Sequence, residues 1–265
     1  MFYKKVRVSI WVGIINLTPD SFSDGGVNFE PNQAIKNAIS LIENGAEVID
    51  VGAESTRPSA TKISEEEEWQ RLEEFLSKLI ALKQTHSFKI SIDSYKPAII
   101  AKALAIGVDM VNDVSGLKNL EVIPILKKYN CDYVLMHSLT IPANKSVVLS
   151  EEVDVVKELY NFASQKIKLL EKNGISKKRI VFDVGIGFGK SAEQNIELIK
   201  NIEFFHKLNC RLMVGHSRKS FLNYFGNVDS IDKKDLATNI ISEFLKGKVD
   251  YLRVHNFNLN NRPSI

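Results

Sequence analysis

Apolar residues along this chain follow two rhythms that alternate roughly every 30 residues. Short continuous runs occupy 8–15, 48–52, 89–93, 110–114, 133–137, 180–184, 211–215 and 251–255. Runs such as VSIWVGII and YVLM are apolar without alternation, as strands buried on both faces of a parallel sheet are. Between them lie segments with helical spacing, at 32–44, 64–85, 97–106, 120–129, 151–173, 192–208 and 233–246. In the first of these, Ile35, Ala38, Ile39 and Ile42 keep the three-and-four spacing of a buried stripe. Asn44-Gly45, Ile106-Gly107 and Asn173-Gly174 mark helix ends. The acidic run at 65–68 reads as a solvated helix start, where carboxylates suit the positive end of the dipole. Eight strands alternating with helices predict a single-domain (β/α)8 TIM barrel over residues 1–265, in preference to an open doubly wound sheet. After the eighth strand comes NFNLNNRPSI, with Pro263 near its end, which cannot supply a full amphipathic helix. The eighth helix is therefore expected to be missing or truncated.

Composition changes this picture little. The chain has 265 residues, 44% hydrophobic and 25% charged, which suits one barrel that buries its core without staples. A net charge of +3 is too mild for a nucleic-acid partner but compatible with a small anionic ligand. The start, MFYKKVRVSIWVGII, has the basic-then-apolar order of a signal peptide, yet a polar loop follows it instead of a small-residue cleavage site, so it reads as a first buried strand. No apolar stretch reaches membrane-spanning length. Cys131 and Cys210 form no CxxC and read as reduced, buried thiols, which fits the cytoplasm.

Candidate chemistry collects where a barrel keeps it, at the C-terminal ends of the strands. Asn16, Asp50, Asp93, Asn112, Asp113, His137, Asp183, Arg253 and His255 all fall at or near such ends. The segments 54–58 (ESTRP), 185–190 (GIGFGK) and 217–220 (SRKS) follow strands two, six and seven. Asp93, Asn112, Asp183 and Lys219 offer donors and acceptors for a flat, nitrogen-rich ring. Asn16, Thr56, Arg57, Ser217, Arg253 and His255 suit phosphate, with arginine forming bidentate charge-assisted bonds. The neutral Asn16 oxygen can also join the shell of a Mg2+ held mostly by diphosphate and water. The glycine-rich GIGFGK is weak evidence alone and could be only a tight turn.

Several segments closely resemble the dihydropteroate synthase family. NLTPDSFSDGG (16–26) is similar to its first signature and GAEVIDVGAESTRP (45–58) to its second. SIDSYKP (91–97), VNDVSG (111–116), LMHS (135–138), DVGIGFGK (183–190), GHSRKSF (215–221) and LRVHN (252–256) follow in family order. The resemblance spans roughly residues 8–256 and implies an enzyme of folate biosynthesis. It would condense 6-hydroxymethyl-7,8-dihydropterin diphosphate with p-aminobenzoate, release pyrophosphate, use Mg2+, and be the target of sulfonamides. By position it implies Asp93, Asn112, Asp183 and Lys219 as the pterin set, with Met136 and Phe188 lining the ring. It places Asn16 on the metal, and Ser217, Arg253 and His255 on the diphosphate. Phe22 and Asp24, with Thr56, Arg57 and Pro58, fall in the two mobile loops. Phe22, Pro58, Phe188, Lys219 and Ser220 fall in the p-aminobenzoate pocket. Asp183, Lys219, Arg57 and Asp24 are the expected catalytic residues.

Three positions depart from the family pattern. Val184 stands where proline usually follows the strand-six aspartate. His216 occupies a variable position. The shortened C-terminus removes a helix from the side where the family often dimerises, which weakens the expectation of a homodimer. Two rival readings remain. A methyltetrahydrofolate-binding methyltransferase barrel would share much of the pterin set but would not need the first loop or the SRKS lysine. A catalytically silent barrel kept for binding would be expected to lose loop or diphosphate residues.

Overall fold

Because side chains alternate across a strand, the residues facing into a barrel are set by every second position. The computed structural model describes residues 8–18, 31–58 and 60–256. Eight parallel strands close in sequence order: β1 (Ile10–Asn16), β2 (Val48–Gly52), β3 (Lys89–Asp93), β4 (Met110–Asp113), β5 (Asp132–Met136), β6 (Ile180–Asp183), β7 (Arg211–Val214) and β8 (Tyr251–Val254). Helices α1 (Pro31–Glu43), α2 (Glu65–Leu82), α3 (Pro97–Ala105), α4 (Val122–Lys128), α5 (Val155–Lys172), α6 (Ala192–Lys200) and α7 (Ile231–Leu245) follow the first seven strands in turn. Among the described residues no helix follows β8; residues 257–265 lie outside them.

Val12, Val48, Met110, Val134, Val181, Met213 and Tyr251 form an apolar cluster that plugs the lower barrel. Two residues further along six of these strands, the same inward face carries Asp50, Asn112, Met136, Asp183, Gly215 and Arg253; β3 carries Ser91 and then Asp93. The interior thus turns from hydrocarbon to polar at its C-terminal end. Outward positions such as Ile49, Ile90, Val111, Leu135, Phe182, Leu212 and Leu252 pack under the helices in the main core.

Two expectations need correction. The helical segment 192–208 is α6 followed by a separate 3-10 turn, Ile202–Leu208. Asn201 breaks it: its side-chain amide donates to the Glu197 carbonyl, a local bond that competes with helix continuation. The tighter winding sets Phe204 against Tyr160 and Phe205 against Phe182. The run at 65–68 is not wholly solvated either. Ser64 caps α2 and Glu65, Glu66 and Glu67 are exposed, but Glu68 is only 1% exposed and pairs with Lys96 at 2.8 Å. It lies on the stripe that continues through Leu72, Leu76 and Leu79, so helical spacing would have marked it as buried.

Candidate active site

The polar end of the barrel opens into a cavity of about 530 Å³. Every described residue to which the family resemblance gave a site role lines it: Asn16, Thr56, Arg57, Pro58, Asp93, Asn112, Met136, Asp183, Phe188, Ser217, Lys219, Ser220, Arg253 and His255. Phe22 and Asp24 lie outside the described residues.

The floor is an ion-pair network across four strands. Arg253 donates from Nε to Asp50 (2.6 Å) and from Nη2 to Asp93 (2.7 Å). Asn112 Nδ2 donates to the same Asp50 oxygen at 2.9 Å, which leaves the Asn112 oxygen as an acceptor. Burial pushes the Asp93 carboxyl up to about 7, against the pull of Arg253. Asp50 is the member to which the sequence reading gave no role. It does not line the cavity, yet it orients both Asn112 and Arg253. A lone carboxylate inside the apolar run VIDVG was the available signal, because such a charge needs a buried partner. The adjacent pair Asn112 and Asp113 splits by parity: Asp113 accepts from the Tyr133 hydroxyl (2.7 Å) and the Ser115 amide (2.7 Å), holding a turn and leaving the cavity to Asn112.

Asp183 is aimed by the turn that follows it. Its Oδ1 accepts from the Gly185 amide at 2.7 Å, and its carbonyl accepts from the His137 amide at 3.1 Å. Gly185 has φ +65°, and a Cβ there would sit 2.0 Å from the His137 carbonyl oxygen, so only glycine fits. Val184, in place of proline, is fully buried. GIGFGK proves to be more than a tight turn. Lys190 buries its ammonium among the carbonyls of His137 (3.1 Å), Gly185 (2.9 Å) and Phe188 (3.0 Å), 2.9 Å from His137 Nδ1. Burial and Lys190 drive His137 down to about 3, so it is neutral. His137 ended a strand and was a candidate polar group; it supports this turn and does not line the cavity.

Lys219 donates to the Ile186 carbonyl at 2.6 Å and lies 4.8 Å from the centre of the Phe188 ring. Burial brings its ammonium down to about 8, with Asp183 holding it up. Burial likewise raises the Asp183 carboxyl, opposed by Lys219 and the Gly185 amide. A carboxylate and an ammonium in one cavity, the ammonium over an aromatic ring, can hold a planar ring and answer charge that develops on it.

Other residues of the same cavity suit an anion. His255 donates its backbone amide to Ser217 Oγ (3.2 Å), and its Nδ1 lies 3.0 Å from the same oxygen. Burial, then Arg218, Arg253, Arg57 and Lys219, hold His255 well below its ordinary value. A neutral imidazole keeps one N–H that can donate to a phosphate oxygen. Arg218 stands between Ser217 and Lys219 at φ +57°, an uncommon conformation for a bulky residue. A fork onto Asp235 (2.6 and 2.8 Å) and a bond from its amide to Thr238 Oγ1 (3.2 Å) hold it. Arg218, Lys145 and Lys234 line the cavity without having been singled out. His216 is buried against α7 through Thr238 and Ser242, and burial lowers it to about 4, a structural role. Among the described residues no group of three His, Cys, Asp or Glu could hold a metal.

The chain matches the family model of pterin binding enzymes over residues 12–255. It is 34% identical to a dihydropteroate synthase of Clostridium beijerinckii across 96% of this chain and 91% of that one. Among solved structures it is similar to the Yersinia pestis dihydropteroate synthase in a sulfonamide drug complex (TM-score 0.86, 30% identity, covering 94% and 89% of the two chains). It is also similar to the Anaplasma phagocytophilum enzyme with bound 6-hydroxymethylpterin-monophosphate (TM-score 0.85, 33% identity, 94% of each). The sequence resemblance, the closed barrel and the polar mouth agree, and the chain belongs to the dihydropteroate synthase family.

Proposed function

We propose that the barrel mouth is where this chain performs its family's reaction, joining 6-hydroxymethyl-7,8-dihydropterin diphosphate to p-aminobenzoate with release of pyrophosphate. The observation that carries this is that the carboxylates, amide and ammonium of Asp93, Asp183, Asn112 and Lys219 share one cavity with Ser217, His255 and the arginines whose charges act on it. Asp93, Asn112, Asp183 and Lys219 hold the pterin, with Met136 and Phe188 as walls. Ser217, Arg253, His255, Thr56 and Arg57 receive the diphosphate. Phe22, Pro58, Phe188, Lys219 and Ser220 receive the aniline, the place where a sulfonamide competes. Asp24 and Arg57 serve catalysis with Asp183 and Lys219.

In the reaction the methylene C–O bond breaks and its electron pair leaves on the diphosphate. The aniline nitrogen forms the C–N bond and then loses a proton. Asp183 stabilises positive charge spread over the pterin, and the cations around His255 stabilise the departing oxygens. Closure of the loops excludes water that would trap the electrophile. Mg2+ suits the donor set if it arrives on the diphosphate, because the ion keeps most of its shell from phosphate and water. Asn16 then offers one neutral oxygen, and the ion supplies charge neutralisation. Calorimetry tests this: Mg2+ is expected to tighten pterin diphosphate binding and Asn16→Ala to blunt the gain, whereas an undiminished gain would remove Asn16 from the metal shell.

Pterin affinity should peak between Asp93 near 7 and Lys219 near 8. Below that window Asp93 takes up a proton and stops accepting from ring N–H groups. Above it Lys219 loses its charge. Each limb approaches about tenfold per pH unit at most. A flat profile from about pH 5.5 to 9 would contradict these assignments.

No helix among the described residues is long and apolar enough to cross a membrane. The two free, buried cysteines support a reducing compartment, and so the cytoplasm. The exposed Leu236, Ile240 and Phe244 on α7 support self-association through that helix. Sedimentation velocity tests it; a monomer at every concentration would remove the homodimer.

A further inference from the structure

The loop between β2 and α2 carries Thr56, Arg57 and Pro58 to the cavity, and a buried cluster grips both its ends. Glu54, at the near end, accepts from Lys96 Nζ (2.7 Å), the Tyr95 hydroxyl (2.5 Å) and the Ile63 amide (3.0 Å). Lys96 Nζ in turn donates to the Ile63 carbonyl at 2.7 Å and pairs with Glu68 at 2.8 Å. Both backbone groups of Ile63, at the far end, are therefore held, one by each member of the Glu54–Lys96 pair. Arg71 on α2 adds a bond to the Ala53 carbonyl at 3.0 Å. The tip differs: Arg57 and Pro58 are exposed. Lys96, Tyr95 and Glu68 do not line the cavity.

We propose that Lys96 is a positioning residue for the reaction: shared between Glu54 and Glu68, it clasps the two ends of the Thr56–Arg57–Pro58 loop so that the tip closes over the site from a fixed base.

Charge and burial fit a clasp built around this lysine. The Lys96 and Glu54 side chains are 13% and 6% exposed, and Glu68 is 1% exposed, so removing the ammonium strands two buried carboxylates. Burial raises the Glu68 carboxyl, while the bonds from Lys96, Tyr95 and Ile63 outweigh burial at Glu54 and hold it low. The hydrogen bonds that hold the pterin floor of Asp93, Asn112 and Asp183 come from Arg253, Asp50 and Gly185, none of them in this cluster. Loosening the clasp should therefore spare pterin binding and impair what the loop does afterwards.

This inference rests on Thr56 and Arg57 serving the reaction, and the experiment separates the two. Lys96→Met, Lys96→Arg and Arg57→Ala are compared with the unaltered chain, with rates normalised to folded protein. For Lys96→Met, pterin diphosphate affinity should stay within about threefold by calorimetry, while kcat/KM for p-aminobenzoate falls about tenfold or more. Lys96→Arg should restore most of that loss. A merely structural lysine would lower the unfolding midpoint and leave kcat/KM unchanged, which would overturn the inference. If Lys96→Met does not fold, Tyr95→Phe decides. It removes one grip on Glu54 and should cost about threefold in kcat/KM with pterin affinity held; no change would overturn the inference. If Arg57→Ala also leaves turnover intact, the loop assignment itself fails. If Arg57→Ala impairs turnover and the clasp variants do not, only the clasp fails.

Discussion

Replacing Asp183 by asparagine is expected to leave a folded barrel whose turnover falls about a thousandfold, the scale of losing one well-placed electrostatic contact to a transition state. An asparagine oxygen can still accept from the Gly185 amide, so the 2.7 Å bond that aims the side chain survives. Stability should not suffer, because burial already disfavours the charged carboxylate and an amide removes that cost. What disappears is the negative charge that acts on Lys219 in the cavity. Pterin affinity should drop less than kcat, since the charge matters most once the C–O bond is breaking. Circular dichroism, calorimetry and steady-state rates together check this. Near-native kcat with undiminished pterin affinity would remove Asp183 from the mechanism.

Arg253→Met should produce the largest loss of stability, about 3–5 kcal/mol, because it leaves Asp50 and Asp93 buried without their shared cation. The deficit carries a pH signature. The Asp93 carboxyl already sits at about 7 when folded, above its ordinary value of 3.8, and loss of Arg253 raises it further. A group with a raised folded pKa favours the folded state at low pH and loses that contribution as pH rises through the folded value. The variant should therefore lie furthest below the unaltered chain at about pH 8 and recover part of the gap toward pH 5.5. Urea midpoints at the two pH values measure it. An unchanged midpoint at the higher pH would show that the network carries no net stabilisation. Diphosphate binding should also be lost through Arg253 itself, and pterin binding weakened through Asn112, which shares the Asp50 oxygen with Arg253.

Much of this site was legible because barrels concentrate function at strand ends. The strands announce themselves as continuous apolar runs, so Asp93, Asp183 and Arg253 stood out as polar residues that end them. Asp50 was harder to read. Its role appears only when β2, β4 and β8 are brought together, since Asn112 and Arg253 lie 62 and 203 residues away in sequence. Parity within a strand separates Asn112 from Asp113, and that step could have been taken from sequence. Glu68 shows a different limit: four glutamates in a row look solvated by composition, while the helical stripe buries one of them. Lys190 could not have been placed, because its partners are backbone carbonyls, which leave no trace in residue identity. The break at Asn201 rests on a side-chain bond to the Glu197 carbonyl that helical periodicity does not register.

The central claim, that this mouth carries out the condensation, is tested most directly by following pyrophosphate release from 6-hydroxymethyl-7,8-dihydropterin diphosphate and Mg2+, with and without p-aminobenzoate. The expected result is release that depends on p-aminobenzoate, with one 7,8-dihydropteroate formed per pyrophosphate and with Asp183→Asn nearly silent. A folded sample that binds the pterin diphosphate yet forms no dihydropteroate would contradict it.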